Sequence, residues 1–259
     1  MRKALTSLTT TGQHTSPIGA ELYYEVFAED FDGSTPALVL HGGMGFIGLM
    51  YNQIAALTKT RKVIAMDLRG HGRSRDVEEA LTYAAFAEDV LSLLDHLTIK
   101  RVDVIGWGDG GTVGLYLAIH APDRVRKLVT IAALYDHSGA TPLLDSNLDG
   151  SDANTFEEAK QAYQRLSPTP ENWSLFEQKL IRLWENEPRF SEMQLTNIRT
   201  AVLVIAGEDD EIVKLKHCKK MATRIPNAKL LVVASGTHYM PFDNPDAVNG
   251  PMLKFLTAS

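Results

Sequence analysis

The chain has 259 residues, of which 44% are hydrophobic and 22% are charged, a composition typical of a globular protein. The formal net charge of −6 argues against a general binder of nucleic acids or of anionic membranes, because such binders carry an excess of Lys and Arg. No apolar run approaches the roughly 20 residues that cross a bilayer, so the sequence predicts no membrane-spanning helix.

The first ten residues and the single cysteine of the chain help to predict its cellular compartment. Residues 1–10 begin with basic side chains but lack an apolar stretch of signal-peptide length, so we expect a frayed lead-in. Cys218 cannot form an internal disulfide and matches no zinc-ligand spacing. We therefore expect a cytoplasmic protein that holds no metal.

Short apolar runs rich in β-branched residues alternate with helical patterns along most of the chain. Runs of this length are typical of strands buried on both faces of a parallel sheet. The alternation predicts a doubly wound, mostly parallel α/β sheet of about eight strands. The predicted buried strands cover residues 37–40, 63–66, 102–105, 128–131, 202–205 and 230–233, with an antiparallel edge strand over 18–27 and helices over 82–97 and 111–120.

The alternation stops at residues 134–196, where the sequence predicts a polar loop over 136–152 followed by three helices. We therefore divide the chain into a core of residues 1–133 and 197–259 and a helical insertion of residues 134–196. The insertion either packs its aromatic side chains onto the sheet or forms a lid over an apolar pocket. Its helix ends are marked by two capping-box patterns and three prolines: Thr155 with Glu158, Ser191 with Gln194, and Pro168, Pro170 and Pro188.

Several glycines follow the third predicted buried strand and lead into a helix. Gly106, Gly108 and Gly111 have the spacing of a dinucleotide fingerprint, in which Asp136 would bind a ribose of NAD or NADP. Gly106, Gly108 and Gly110 have the spacing of a nucleophile elbow, with glycine at the position of the nucleophile. The local spacing alone does not choose between these interpretations.

Four further motifs follow other predicted strands. They are His41-Gly42-Gly43-Met44-Gly45, Asp67-Leu68-Arg69-Gly70-His71-Gly72-Arg73-Ser74, Gly207-Glu208-Asp209-Asp210-Glu211-Ile212-Val213 and Ser235-Gly236-Thr237-His238. The glycine elbow lies between the second and the third of these motifs. Taken in this order, the five motifs make the chain resemble the α/β-hydrolase superfamily from about residue 18 onward. Within that superfamily, the chain resembles serine esterases and lactonases. A dinucleotide fold has no need of the four motifs, so we favour the elbow and keep an NAD(P)-binding protein as an alternative.

The resemblance implies a role for each matching residue. Asp210 matches the acid and His238 the base of a Ser-His-Asp triad, in the chain order nucleophile, acid, base. The carboxylate would fix the tautomer of the imidazole, which would take a proton from the nucleophile. The main-chain N–H groups of Asp109 and of Gly43 or Met44 match an oxyanion hole.

Other polar residues of these motifs are assigned supporting roles. Asp209 is a rival for the acid, but the Gly-x-x-Asp spacing favours Asp210, so we expect Asp209 to cap a turn or remain solvated. His41 and His71 are expected to bond the loop backbone.

Gly108 departs from the family pattern, which has a nucleophile, most often serine, at this position. Asp109 is one residue out of register and cannot easily replace it. The chain is either a Ser→Gly variant of an active enzyme, able to hold its substrate, or a natural non-hydrolytic relative that binds a ligand. We favour the first account because the acid, the histidine and the oxyanion loop look intact.

The activity implied by the resemblance is hydrolysis of a carboxylic ester or lactone through an acyl-enzyme, without a metal or an organic cofactor. Perhydrolases and C–C bond hydrolases share this scaffold, so the fold does not settle the chemistry. We expect a small-molecule substrate with an apolar portion, and no nucleic-acid or membrane partner. The candidate substrate-contacting residues are Trp107, Trp173, Phe176, Trp184 and Met240.

Overall fold

A computed structural model describes residues 8–17, 19–31, 34–141 and 151–258, with only the backbone described at residues 8–9 and 151–155. Most of the predicted lead-in over 1–10 and residues 142–150 of the predicted polar loop therefore lie outside the described residues.

The strands within these ranges are β1 Leu8–Thr15, β2 Glu21–Phe27, β3 Ala37–Leu40, β4 Val63–Met66, β5 Val102–Trp107, β6 Val125–Ile131, β7 Ala201–Gly207 and β8 Ala228–Val233. They form one sheet in the order β1-β2-β4-β3-β5-β6-β7-β8. The pairs β1–β2 and β2–β4 are antiparallel, and all other neighbours are parallel. The predicted doubly wound, mostly parallel sheet is confirmed.

The α-helices of the described residues are α1 Tyr51–Leu57, α2 Tyr83–His96, α3 Asp109–His120, α4 Ser151–Leu166, α5 Trp173–Asn186, α6 Glu192–Asn197, α7 Leu215–Arg224, α8 Met240–Asp243 and α9 Pro245–Thr257. Successive side chains of a strand point to opposite faces, so each central strand feeds two apolar cores. Leu38 and Leu40 pack into the core with α2, α3 and α7, while Ala37 and Val39 pack into the core with α1 and α9. None of these helices combines the length and hydropathy needed to cross a membrane.

Three strands differ from the sequence-based prediction. Residues 8–10 belong to β1, where we expected a frayed lead-in, and β2 lies between β1 and β4, so it is not an edge strand. The sequence hides β1 because it is rich in Thr and other polar residues, although its backbone pairs along β2. β8 is itself an edge strand and is partly exposed, so it is not buried on both faces.

Helices α4, α5 and α6, here called the cap helices, lie between β6 and β7. Helix α4 begins at Ser151, so the prediction that Thr155 caps it is wrong: Thr155 lies inside the helix. The capping box of Ser191 and Gln194 at the start of α6 is confirmed. Helices α4 and α5 end two residues before Pro168 and Pro188, as their prolines predict.

Candidate active site

A tight turn joins β5 to α3, and glycines make this turn possible. A Cβ atom placed on Gly106 would lie 2.2 Å from the carbonyl oxygen of Gly110, and one on Gly110 would lie 2.5 Å from the carbonyl oxygen of Leu40. Neither position can therefore carry a side chain. Gly108 lies between them with φ +52° and ψ −119°, a conformation that strains every residue except glycine.

Gly108, unlike its two neighbouring glycines, has room for a small side chain. A Cβ atom placed on it would lie 3.4 Å from Cα of Gly42 and 3.6 Å from Nε2 of His238, both ordinary contact distances. A hydroxymethyl group would fit here and would stand beside the imidazole ring.

His238 and Asp210 follow the neighbouring parallel strands β8 and β7, which brings their side chains together. Nδ1 of His238 lies 3.2 Å from Oδ1 and 3.3 Å from Oδ2 of Asp210. The main-chain N–H groups of Ile212 and Val213 donate to Oδ1 of Asp210 at 2.9 and 2.7 Å and fix the carboxylate. Because a carboxylate can only accept, Nδ1 carries the proton, and in the neutral ring Nε2 is the free base. Asp209, the rival acid, is exposed.

The charges around His238 favour its protonated form. Burial lowers the pKa of the imidazole, but the charge and hydrogen bond of Asp210 and the charges of Glu211 and Asp109 outweigh burial, so the pKa is raised above its ordinary value. Glu211 also accepts a hydrogen bond from the main-chain N–H of His238 at 3.2 Å. Sequence analysis did not single out Glu211, although it lies next to Asp210.

Main-chain donors are available beside the turn. In the described part of the chain, nothing accepts a hydrogen bond from the main-chain N–H of Gly43, Met44 or Asp109. The N–H of Gly110 donates to the carbonyl of His41 at 3.0 Å and so holds the loop after β3 against the start of α3. Two loops thus bring free N–H groups to the same end of the sheet, as an oxyanion hole requires.

The side chain of Asp109 also lies in the site, which sequence analysis did not predict. Its Oδ1 accepts a hydrogen bond from Oη of Tyr83 at 2.7 Å, and Nε1 of Trp184 lies 3.2 Å from Oδ1 and 3.0 Å from Oδ2. Oδ2 adjoins Gly43, where a Cβ atom would lie 2.6 Å from it. Burial raises the pKa of Asp109, while the bonds from Trp184 and Tyr83 and the charge of His238 oppose this. No local pattern could reveal these contacts, because Tyr83 and Trp184 are remote in sequence.

Two of the five predicted substrate-contacting residues border the site. Trp184 bonds Asp109 and lies against Gly43, where a Cβ atom would come 2.5 Å from its ring. Phe176 contacts the loop after β4, since its ring centroid is 4.8 Å from that of His71. Their contact with a ligand stays a prediction.

The other three predicted residues pack inside the protein. Trp107 is 4% exposed, donates from Nε1 to the carbonyl of His238 at 3.0 Å and packs against its ring. Met240 is fully buried on α8, and Trp173 packs against Tyr163 and Phe176 within the cap helices. Trp107 therefore supports His238 by packing and a hydrogen bond.

The two motif histidines bond the loop backbone, as the sequence predicts. His41 accepts from the main-chain N–H of Leu68 at Nε2, 3.0 Å away, and its Nδ1 lies 2.7 Å from the carbonyl of Gly42, so it joins the loops after β3 and β4. Burial lowers the pKa of His41 to about 4. Nδ1 of His71 lies 2.9 Å from the carbonyl of Arg69. Among the described side chains, no group of three His, Cys, Asp or Glu residues is arranged to hold a metal ion.

A base held by a carboxylate, facing a tight turn at the end of the central strand, is an arrangement found in hydrolases. Comparison with known proteins gives the same class: the model of the alpha/beta hydrolase family matches residues 37–250. The chain therefore belongs to the α/β-hydrolase family, which favours the elbow over the dinucleotide interpretation.

Several relatives and structural neighbours of the chain are named as hydrolases. The chain is 30% identical over 263 residues to "Putative carbamate hydrolase RutD" of Caulobacter sp. (strain K31), covering 91% of this chain and 96% of the relative. A hydrolase from Pseudomonas aeruginosa PA01 is similar in structure, with a TM-score of 0.72 and 27% identity over 96% of this chain and 99% of the other. The enol-lactonase from Burkholderia xenovorans LB400 shares the fold, with a TM-score of 0.76 and 19% identity over 95% and 100% of the two chains.

Proposed function

We propose that this chain binds a small acyl compound, namely a carboxylic ester, lactone or carbamate, over the elbow and holds it because the site has no nucleophile. The observation that carries the proposal is the position of Nε2 of His238, 3.6 Å from where a Cβ atom of residue 108 would lie. The base, its carboxylate and the free main-chain donors are those of a serine hydrolase, and Gly108 alone departs from it.

The proposed chemistry follows from this arrangement. The main-chain N–H groups of Gly43, Met44 and Asp109 are candidates to bind the ligand's carbonyl oxygen and polarise the carbonyl. With a hydroxyl at position 108, Nε2 of His238 would take its proton as the oxygen attacks the carbonyl carbon. Gly108 has no such oxygen, so no acyl-enzyme forms and the ligand remains intact. The cap helices act as the lid over the bound ligand in this proposal.

The comparisons support the substrate class. RutD is named for carbamate hydrolysis, and the Burkholderia protein is named as an enol-lactonase. Carbamates, lactones and esters all have a carbonyl carbon that also carries a single-bonded oxygen. One oxyanion hole could therefore serve all three.

The substitution Gly108→Ser tests the proposal. We expect it to confer hydrolysis of short p-nitrophenyl esters with a burst of p-nitrophenol, because loss of the nucleophile costs about 2 × 10⁶ in kcat in subtilisin. We also expect the free energy of unfolding to fall by about 1–3 kcal/mol, because a serine at position 108 would have to adopt the strained positive φ. Steady-state and burst kinetics measure the first effect, and thermal denaturation the second.

Gly108→Ala is the matched control, since it adds the same Cβ atom without the hydroxyl. It should lower the melting temperature as much as Gly108→Ser while adding no turnover. Absence of both burst and turnover in Gly108→Ser with every ester tried would overturn the proposal.

A further inference from the structure

A narrow crevice separates the loops after β3 and β4 from the cap helices. It is too narrow to hold a water molecule in this conformation. Met44, from the loop with the free main-chain donors, lies at one side. The crevice is therefore adjacent to the proposed site and on the side where the cap helices meet the core. The residues that define it are Met44, Phe46, His71, Tyr163, Leu166 and Phe176.

Two buried polar atoms in this crevice have no hydrogen-bond partner among the described residues. They are Nε2 of His71 and Oη of Tyr163, in side chains whose residues are 1% and 4% exposed. Buried polar atoms of folded proteins are almost always paired with protein or water, and an unpaired one costs free energy. A ligand group that enters this crevice would therefore meet two buried polar atoms that have no protein partner.

The chemistry of the two atoms specifies that partner. The carbonyl of Arg69 can only accept, so Nδ1 of His71 carries the ring proton and Nε2 presents a bare lone pair. Burial lowers the pKa of His71 to about 3, so the ring stays neutral. Nε2 therefore needs a donor, while the Tyr163 hydroxyl is able to donate or to accept.

The rest of the crevice is apolar. The ring of Phe176 packs against both polar residues, with centroid distances of 4.8 Å to His71 and 5.0 Å to Tyr163. A group entering here must accordingly be a single polar function on an otherwise apolar part of the ligand.

We propose that His71 and Tyr163 form a specificity subsite that takes a hydroxyl or N–H group of the ligand. A hydroxyl can donate to Nε2 of His71 and can accept from Oη of Tyr163, whereas a methyl group can do neither. The subsite rests on the proposed function, because the group it takes belongs to the acyl compound bound over Gly108.

Binding to the unmodified chain tests the subsite without depending on turnover. Two pairs of methyl esters differ by one hydroxyl replaced with a methyl group: 3-hydroxybutyrate against 3-methylbutyrate, and 6-hydroxyhexanoate against heptanoate. We expect isothermal titration to show about tenfold tighter binding of the hydroxylated member in at least one pair, since one hydrogen bond to a buried group is worth about a factor of ten. Tyr163→Phe should reduce this preference to within twofold. Tyr116→Phe, outside the crevice, should keep it.

The outcomes separate the two proposals. Equal binding within both pairs overturns the subsite and leaves the proposed function standing. Binding of none of the four esters overturns both. A preference that survives Tyr163→Phe overturns the role of Tyr163 and with it the subsite.

Thermal denaturation without ligand gives a second readout. If the Tyr163 hydroxyl has no partner, Tyr163→Phe will leave the melting temperature unchanged or raise it. A fall beyond that of Tyr116→Phe would mean that the hydroxyl is already paired in the unliganded protein, and would overturn the subsite.

Discussion

His238 is the residue at which the groups of the site converge. Its Nδ1 faces Asp210, its main-chain N–H bonds Glu211, and its Nε2 faces Gly108. The surrounding carboxylates raise its pKa above the ordinary value of 6.5, so more of the ring is protonated at neutral pH than in an isolated histidine. Only the neutral ring can act as a base, so these charges set the pH range of any base catalysis.

The pH dependence of Gly108→Ser tests this electrostatic account. We expect kcat/KM to fall on the acid side with an apparent pKa above 6.5, because the raised pKa keeps the ring protonated below that pH. Adding Asp210→Asn removes the largest charge that raises the pKa, so the acid limb should move to lower pH, and the plateau should drop about 10⁴-fold. Asp209→Asn, in the exposed neighbour, is the control and should change neither. An acid limb that stays in place in Asp210→Asn would contradict the account.

Among the elements, helix α5 connects the cap helices to the core. Lys179 pairs with Asp76 at 2.7 Å, and both side chains are largely buried. Further along the helix, Trp184 bonds Asp109, and the carboxylate of Glu187 just beyond it accepts from the main-chain N–H of Tyr83 at 3.1 Å. These three polar contacts join the helix and its C-terminal end to the core, and the middle one is in the candidate site.

A double-mutant cycle of Lys179→Met and Asp76→Asn tests the first of these contacts. We expect a coupling free energy of about 1–3 kcal/mol, because each single change leaves a largely buried charge or hydrogen-bonding group without its partner. Urea denaturation measures it. The exposed pair of Arg75 and Glu21, 3.2 Å apart, provides the matched cycle and should give less than about 1 kcal/mol. Equal coupling in the two cycles would show that Lys179 does not fasten the cap helices.

At the scale of the whole molecule, one end of the sheet carries the candidate site and the other end carries a buried ion network. The loops that follow the parallel strands carry the turn at Gly108 and the side chains of Asp210 and His238. At the other end of β5, the fully buried Asp103 binds Arg61 at 2.6 Å and Arg126 at a similarly short distance. This ion network joins β5 to β6 and to the segment before β4, far along the strand from the site.

A substitution of Asp103 should therefore lower the stability of the protein while leaving its activity almost unchanged. Asp103→Asn leaves two guanidinium groups without their carboxylate, and we expect a loss of about 3–5 kcal/mol, or a fall in melting temperature of about 6–20 °C. In the Gly108→Ser background, kcat at 25 °C should stay within about twofold. Asp95→Asn removes an exposed carboxylate that pairs with Arg124, and should cost less than about 1 kcal/mol. A large loss of kcat without a loss of stability would contradict this division.

Local sequence patterns predicted the sheet and much of the candidate site, but not the contacts between distant residues. The central strands were predictable because they are apolar on both faces, and the turn at Gly108 because backbone crowding demands glycine on both sides of it. The strand β1 was missed because backbone pairing holds it while its side chains are polar. The bonds of Asp109 to Tyr83 and Trp184, and the unpaired atoms of His71 and Tyr163, depend on how the cap helices pack on the core, which no spacing encodes.

The central claim is that His238 is placed to act as the base for a nucleophile at position 108. Labelling with a fluorophosphonate, followed by peptide mass spectrometry, tests this claim most directly. Gly108→Ser should gain one phosphonyl adduct on the peptide that contains position 108, as the hydroxyl displaces fluoride, and the unmodified chain should gain none. Adding His238→Ala should slow the labelling at least about 100-fold, the usual contribution of a general base. No adduct on Gly108→Ser, or labelling at the same rate without His238, would contradict the account.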